Sequence, residues 1–209
     1  MKKIVVTLAL AVLALGASAQ AETWNIDASH SSVSFEVTHM VISKVRGRFT
    51  DFSGVINFDG KDISHGSVKV SAKTASVNTD NEDRDEHLRS DEFFDAETYP
   101  TMTFTSTKVS EVKDGKFKLT GDLTIKDVTK EVTFDCEFPG VVKDPWGNTR
   151  AGFSAETTIN RQDFGVTWST VLEGGGLALG NDVDLKLEFE AIKAKPKDQT
   201  ETDSKPESK

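Results

Sequence analysis

Residues 78–100 read NTDNEDRDEHLRSDEFFDAETYP and hold the densest run of ionisable side chains in the chain. From Asp80 to Glu97 there are nine acidic residues, two arginines (Arg84 and Arg89) and one histidine, His87. Carboxylates beside a histidine are the raw material of general acid–base chemistry, and Ser90 close to His87 invites comparison with a nucleophile and its base. Paired carboxylates are unavoidable in so acidic a run, however, and an exposed, mutually repelling cluster lacks the perturbing environment that a catalytic acid needs. The sequence contains no GxSxG, no HExxH and no Gly-rich phosphate loop. His30, His39, His65 and His87 fit no tight metal-ligand spacing. This reading therefore assigns no catalytic residue, no metal and no cofactor. Cys136 is the only cysteine, so no internal disulfide can form. It shares parity with Val132, Phe134 and Phe138, as expected of a packing thiol that faces inward.

Two other clusters could recognise a ligand. In SKVRGRF, Lys44, Arg46 and Arg48 share one strand face, where they could hold an anionic head group or pair with acidic neighbours outside. DPWGNTRAGF and INRQDFGVTW bring Trp146, Arg161, Asp163, Phe164 and Trp168 next to turns. Aromatic residues there either cover one end of a β core or shape the mouth of a cavity.

The elements that must position these side chains are strands. SVSFEV, SVKVSA, KFKLTGDLTIK, EVTFDCEF, GFSAETTI and DVDLKLEFEAI alternate apolar and polar residues. That period means half-buried antiparallel strands, and FDGKD, KDGK, KDPWGN and LEGGG supply the turns. The pattern predicts an all-β sandwich or closed barrel. Gly47, Gly54 and Gly121 interrupt strand-like segments where bends or bulges belong, which favours the barrel. The inward sets are rich in Phe, suiting either a thick core or an apolar cavity. Within residues 80–95, Asp80 or Asn81 can cap a short helix with acidic residues in its first turn. Asp85 and Arg89 stand at i and i+4, and Arg84, His87 and Leu88 fall on one side. Such a helix, followed by Phe93 and Phe94, is a structural cap or a ligand-contacting lid.

The chain opens with MKKIVVTLALAVLALGASAQAE, which has the basic start, apolar run and small-residue cleavage site of a secretory signal peptide. Cleavage after Ala19 or Ala21 would deliver the protein to the periplasm of a Gram-negative-type cell. No later stretch is apolar enough to span a membrane as a helix. Residues 22–193 are expected to form one domain and the polar residues 194–209 a disordered tail. The net charge of −9, or −11 once Lys2 and Lys3 are removed, argues against nucleic-acid binding.

NEDRDEHLRSDEFFDAETYPTMTFTST, LTGDLTIKDVTKEVTF, DPWGNTRAGF and WNIDASHSSVSFEVTHM together closely resemble the YceI-like family of exported bacterial proteins. The similarity runs from Glu22 to about Lys193. It implies a lipocalin-like antiparallel β-barrel of about eight strands, with an apolar tunnel for a polyisoprenoid or other long-chain lipid and no established enzymatic activity. On that reading Phe35, Phe104, Phe117, Phe134, Phe153 and Phe189 form the tunnel wall. Arg84, His87, Arg89, Phe93, Phe94, Trp146, Phe164 and Trp168 form its mouth. Family barrels are often dimers, which leaves a homodimer as an expectation that no patch in the sequence compels. Two alternatives stay open: an enzyme acting on a lipid head group through His87 and nearby carboxylates, and a stress-related interaction protein with a packed barrel.

Overall fold

A computed structural model describes residues 21–195. The expected signal peptide and nearly all of the expected tail lie outside the described residues. Among the described residues eleven strands form one antiparallel sheet: β1 (Glu22–Ile26), β2 (Ser32–His39), β3 (Ser43–Phe49), β4 (Phe52–Phe58), β5 (Ser67–Lys73), β6 (Val77–Asn78), β7 (Thr101–Lys113), β8 (Lys116–Ile125), β9 (Val128–Lys143), β10 (Thr149–Asn160) and β11 (Leu179–Lys193). An α-helix, α1, spans Glu82–Arg89.

The sheet closes on itself. Hydrogen-bonded neighbours run β1-β4-β5-β7-β8-β9-β10-β11, and β1 then pairs with β11 through Trp24↔Lys193, Asn25↔Ile192 and Ile26↔Ala191. This is the expected eight-strand antiparallel barrel. Its first three walls are each built in two pieces. After β1 the chain turns through a short 3-10 helix, and β2 takes over along the same edge of β11. Likewise β3 continues β4, and β6 continues β5. At one end of the barrel, therefore, the wall continues as β11-β2-β3-β6. Beyond β6 the chain leaves the sheet, and residues 79–100 with α1 fill that end before β7 begins. The opposite end carries the turns between β7 and β8 and between β9 and β10, and the β4–β5 connection.

Alternation explains the wall. Along β8, Phe117, Leu119, Gly121, Leu123 and Ile125 face inward, and the four apolar side chains are buried. Outward positions carry charge, with ion pairs Lys118–Asp135 at 2.6 Å and Lys116–Glu137 at 2.9 Å. An apolar inside and charged outside is the reverse of a membrane-spanning barrel. Among the described residues no helix is long and apolar enough to cross a membrane.

Gly47, Gly54 and Gly121 mark close approaches. A Cβ on Gly47 would meet the Phe35 ring at 2.3 Å, and one on Gly54 would meet the Lys69 carbonyl oxygen at 2.8 Å. One on Gly121 would lie 2.5 Å from the Thr105 carbonyl oxygen. Of the three, Gly121 also sits at a bulge, because the β7–β8 register slips between Ser106 and Lys108 beside it.

Candidate functional site

An apolar cavity of about 200 Å³ lies inside the barrel. Its lining runs from Ile63 and Gly66 near the far end to Arg161, Phe164 and Val166 at the helix end. All six phenylalanines expected on the wall, Phe35, Phe104, Phe117, Phe134, Phe153 and Phe189, line it. A cavity of roughly 150 Å³ accepts one benzene ring, so the bore as it stands holds on the order of eight carbons. A longer tail requires lining rings to swing aside. The core is hollow to that extent and otherwise well packed, with Phe104 and Phe134 edge to face at 5.2 Å.

Aromatic rings plug the far end. Phe58 meets Trp24, Phe138 and Phe153 at centroid distances of 5.0, 5.4 and 5.6 Å, and Phe138 stacks on Phe153 at 5.1 Å. Trp24 and Phe58 are each 1% exposed. Ile63 adds a buried side chain from the β4–β5 connection.

The helix end is assembled around α1. Asn81 caps the helix by accepting from the Arg84 N–H at 2.9 Å. Asp85 is buried and accepts from the Thr79 N–H at 2.8 Å and the Thr79 hydroxyl at 2.5 Å. The expected Asp85–Arg89 pair is thus replaced by a tie from α1 to the chain emerging from β6. Arg84 makes a second tie, donating from Nε to Thr79 Oγ1 at 2.7 Å and from Nη2 to the Thr79 carbonyl at 2.8 Å. Leu88, Phe93 and Phe94 line the cavity from this side, and Phe94 meets Phe49 at 5.8 Å.

Of the residues expected at the mouth, the structure gathers most but not all. His87, Phe93 and Trp168 form a mutual cluster with centroids 4.8 to 5.5 Å apart. Phe164 is buried and lines the bore. Arg84 and Arg89 are half-buried on the helix and do not line the bore. Trp146 is a correction. It sits in the β9–β10 turn at the opposite end of the barrel and is 80% exposed, because that turn projects beyond the wall. Asp144 fixes the turn by accepting from the Trp146 and Asn148 N–H groups at 3.0 and 2.8 Å.

The chemistry of the helix end is that of a closure. Ser90 Oγ donates to the His87 carbonyl at 2.8 Å, a helix-end bond that leaves the imidazole uninvolved. His87 Nε2 meets Glu92 Oε2 at 2.5 Å on the surface. Lys44, Arg46 and Arg48 face outward. Glu36 takes Lys44 at 2.5 Å and Arg46 at 2.6 Å, and Asp80 takes Arg48 at 3.1 Å. The outward, paired reading of that stripe is the one the structure bears out.

Elsewhere on the outer wall, Arg150 joins Asp144 at 2.8 Å, Asp27 at 2.9 Å and Glu190. Arg150 and the Asn148 amide hold the Asp144 carboxyl down at about 2. Ser29, His30 and Arg150 hold the Asp27 carboxyl still further below the usual range. Cys136 is 4% exposed, and burial pushes its thiol up to about 12.

Arg161 is the residue that sequence reasoning placed with the packing aromatics, and it proves to line the bore. Its parity with the inward Ile159 was a signal, but a charged side chain beside a turn is ordinarily solvated.

An antiparallel barrel with an apolar axial cavity and a helical segment at one end is the architecture of a barrel binding protein. Comparison with known proteins agrees. Residues 24–191 match the profile of the YceI-like domain, and the chain belongs to that family. A UPF0312 protein of Vibrio parahaemolyticus is 39% identical over 92% of this chain and 100% of its own length. A UPF0312 protein of Pseudomonas putida is 38% identical over 93% and 100%. The crystal structure of the Campylobacter jejuni YceI protein is 40% identical, with a TM-score of 0.66 over 76% of this chain and 90% of that one. A polyisoprenoid binding domain from Saccharophagus degradans shares the fold, at 16% identity and a TM-score of 0.62 over 82% and 98%.

Proposed function

We infer that the protein is a non-catalytic periplasmic carrier or sequestering protein for a long-chain amphiphile of the polyisoprenoid type, held with its tail along the barrel axis. The observation that carries this reading is the apolar cavity, plugged by aromatic rings at one end and closed at the other by a pinned helical segment. The polyisoprenoid binding domain of Saccharophagus degradans, which has the same fold, supports a prenyl tail as the cargo. The signal-like first 21 residues support the compartment.

The energetics favour a chain over a compact ligand. Each buried CH₂-sized unit contributes about 0.8 kcal/mol gross, so one isoprene unit is worth roughly 3 to 4 kcal/mol before ordering costs. A hydrogen bond to a charged head nets about 1.5 to 3 kcal/mol. Over several units the tail dominates affinity, and apolar walls discriminate weakly among tails.

Native mass spectrometry of protein purified from its own host tests the reading. A co-purifying long-chain lipid, or uptake of added geranylgeraniol at one equivalent, is expected. A ligand-free species that takes up no geranylgeraniol overturns it.

A further inference from the structure

Among the described residues that line the bore, Arg161 is the only one with a formal charge. It is 5% exposed. The turn that carries it is well defined: Asn160 accepts from the Gln162 N–H at 3.0 Å, and Gly165 ends the turn with φ 75°. The guanidinium donates from Nε to the Gly180 carbonyl at 2.8 Å and from Nη1 to the Val166 carbonyl at 2.7 Å. Nη2 donates at longer range to the Leu179 carbonyl, 3.4 Å, and to Asn181 Oδ1, 3.3 Å.

Every one of these acceptors is neutral. Among the described residues no carboxylate oxygen lies within ion-pair distance of Arg161, and its near neighbour Asp163 faces Lys130 at 3.7 Å instead. Four bonds use four of the five guanidinium N–H groups, which leaves one on Nη1 for another acceptor. The bonds orient the group but cannot neutralise it, and a buried charge without a counter-charge is costly. Burial accordingly draws its pKa below the ordinary arginine value. Arg150 shows the contrast, since the same chain surrounds that arginine with three carboxylates on the outer wall.

We propose that Arg161 is the head-group recognition point of the bore, binding an anionic oxygen of a phosphate or carboxylate at the end of the lipid's tail. This rests on the carrier reading above and fixes its polarity. The far end is sealed by the Trp24–Phe58–Phe138–Phe153 cluster, so the tail points there and the acidic head lies at the helix end. The head supplies the missing counter-charge, and the guanidinium is already held in place by protein carbonyls, so little ordering is needed on binding.

The test is a displacement titration of the full-length mature protein with three twenty-carbon probes sharing one tail: geranylgeraniol, geranylgeranoic acid and geranylgeranyl phosphate. The acid and the phosphate are expected to bind about tenfold to a hundredfold more tightly than the alcohol. Their relative order separates the two head groups. Arg161→Gln is expected to abolish the preference of the two anions over the alcohol. Equal affinity of the wild-type protein for the alcohol and both anions overturns the assignment whether or not the variant folds. So does a folded Arg161→Gln that keeps the preference. Binding of none of the three overturns the carrier reading itself, and this proposal with it.

Discussion

Filling the bore with protein separates a hollow barrel from a packed one. Ala155 lies on β10, lines the cavity, and is paired to Leu187 and Cys136 on the neighbouring strands. In Ala155→Phe the new ring is the size of the benzene that a cavity of roughly 150 Å³ accepts, so it occupies most of the 200 Å³ available. An empty apolar cavity costs about 24 cal/mol per Å³, or roughly 5 kcal/mol for the whole bore. Filling most of it recovers much of that, less about 1 to 3 kcal/mol of overpacking strain. The lipid-free variant should therefore lie between unchanged and about 3 kcal/mol more stable, which for a domain of this size raises Tm by up to about 10 °C. Geranylgeraniol, left with no room beside the ring, should bind at least about a hundredfold more weakly. Circular dichroism melts of delipidated protein and displacement titrations give both readouts. A variant destabilised by more than about 3 kcal/mol that binds the alcohol undiminished would refute the reasoning, because it would place the tail elsewhere and make the core a packed one.

Gly121→Ala should cost roughly 1 to 3 kcal/mol and more than Gly47→Ala, since its Cβ meets strand backbone whereas the Phe35 side chain over Gly47 can swing aside; urea midpoints compare the two. Asp85→Ala strips the Thr79 N–H and hydroxyl of their acceptor, so roughly 1 to 3 kcal/mol should be lost locally, seen as faster amide exchange across Glu82–Arg89. Stability should be level above about pH 4 and fall as pH drops toward 2. The depressed Asp144 and Asp27 carboxyls bind protons more readily in the unfolded chain, so their contribution is present above the unfolded value and lost on passing through the folded one. Arg150→Met should lower stability at neutral pH and flatten that acid limb in denaturant titrations run from pH 2 to 7. Cys136 should react with a thiol reagent only after denaturation, and equal rates in native and unfolded protein would contradict its buried position.

The strands were legible because their signal is local. From Phe117 to Ile125 in β8 and from Val183 to Ala191 in β11 no inward position is polar, and that alternation fixes which face is inside without knowledge of the partner strand. The six wall phenylalanines follow from the same parity. The helix at 82–89 was legible from its cap and its acidic first turn. What the pattern could not carry was relative position along the axis. Trp146 and Trp168 both lie beside turns, yet one turn closes the far end and the other the helix end, and only strand direction around the closed ring tells them apart. Asp85 looked like the partner of Arg89 because helix spacing is local, whereas its acceptor role toward Thr79 depends on how the chain leaves β6. Arg161 was passed over because charge ordinarily marks the outside, and its burial arises from carbonyls of residues 166, 179 and 180 that the turn and β11 bring around it.

The contact that seals the ring joins Trp24 to Lys193, nearly the full span of the described chain. During synthesis or refolding the first strand must wait, with its pairing edge bare, until the last arrives. Such long-range closure makes folding slow and leaves intermediates with sticky edges, so an aggregation-suppressing chaperone should raise the yield of refolding more than it does for a protein of similar size built from sequence-local pairs.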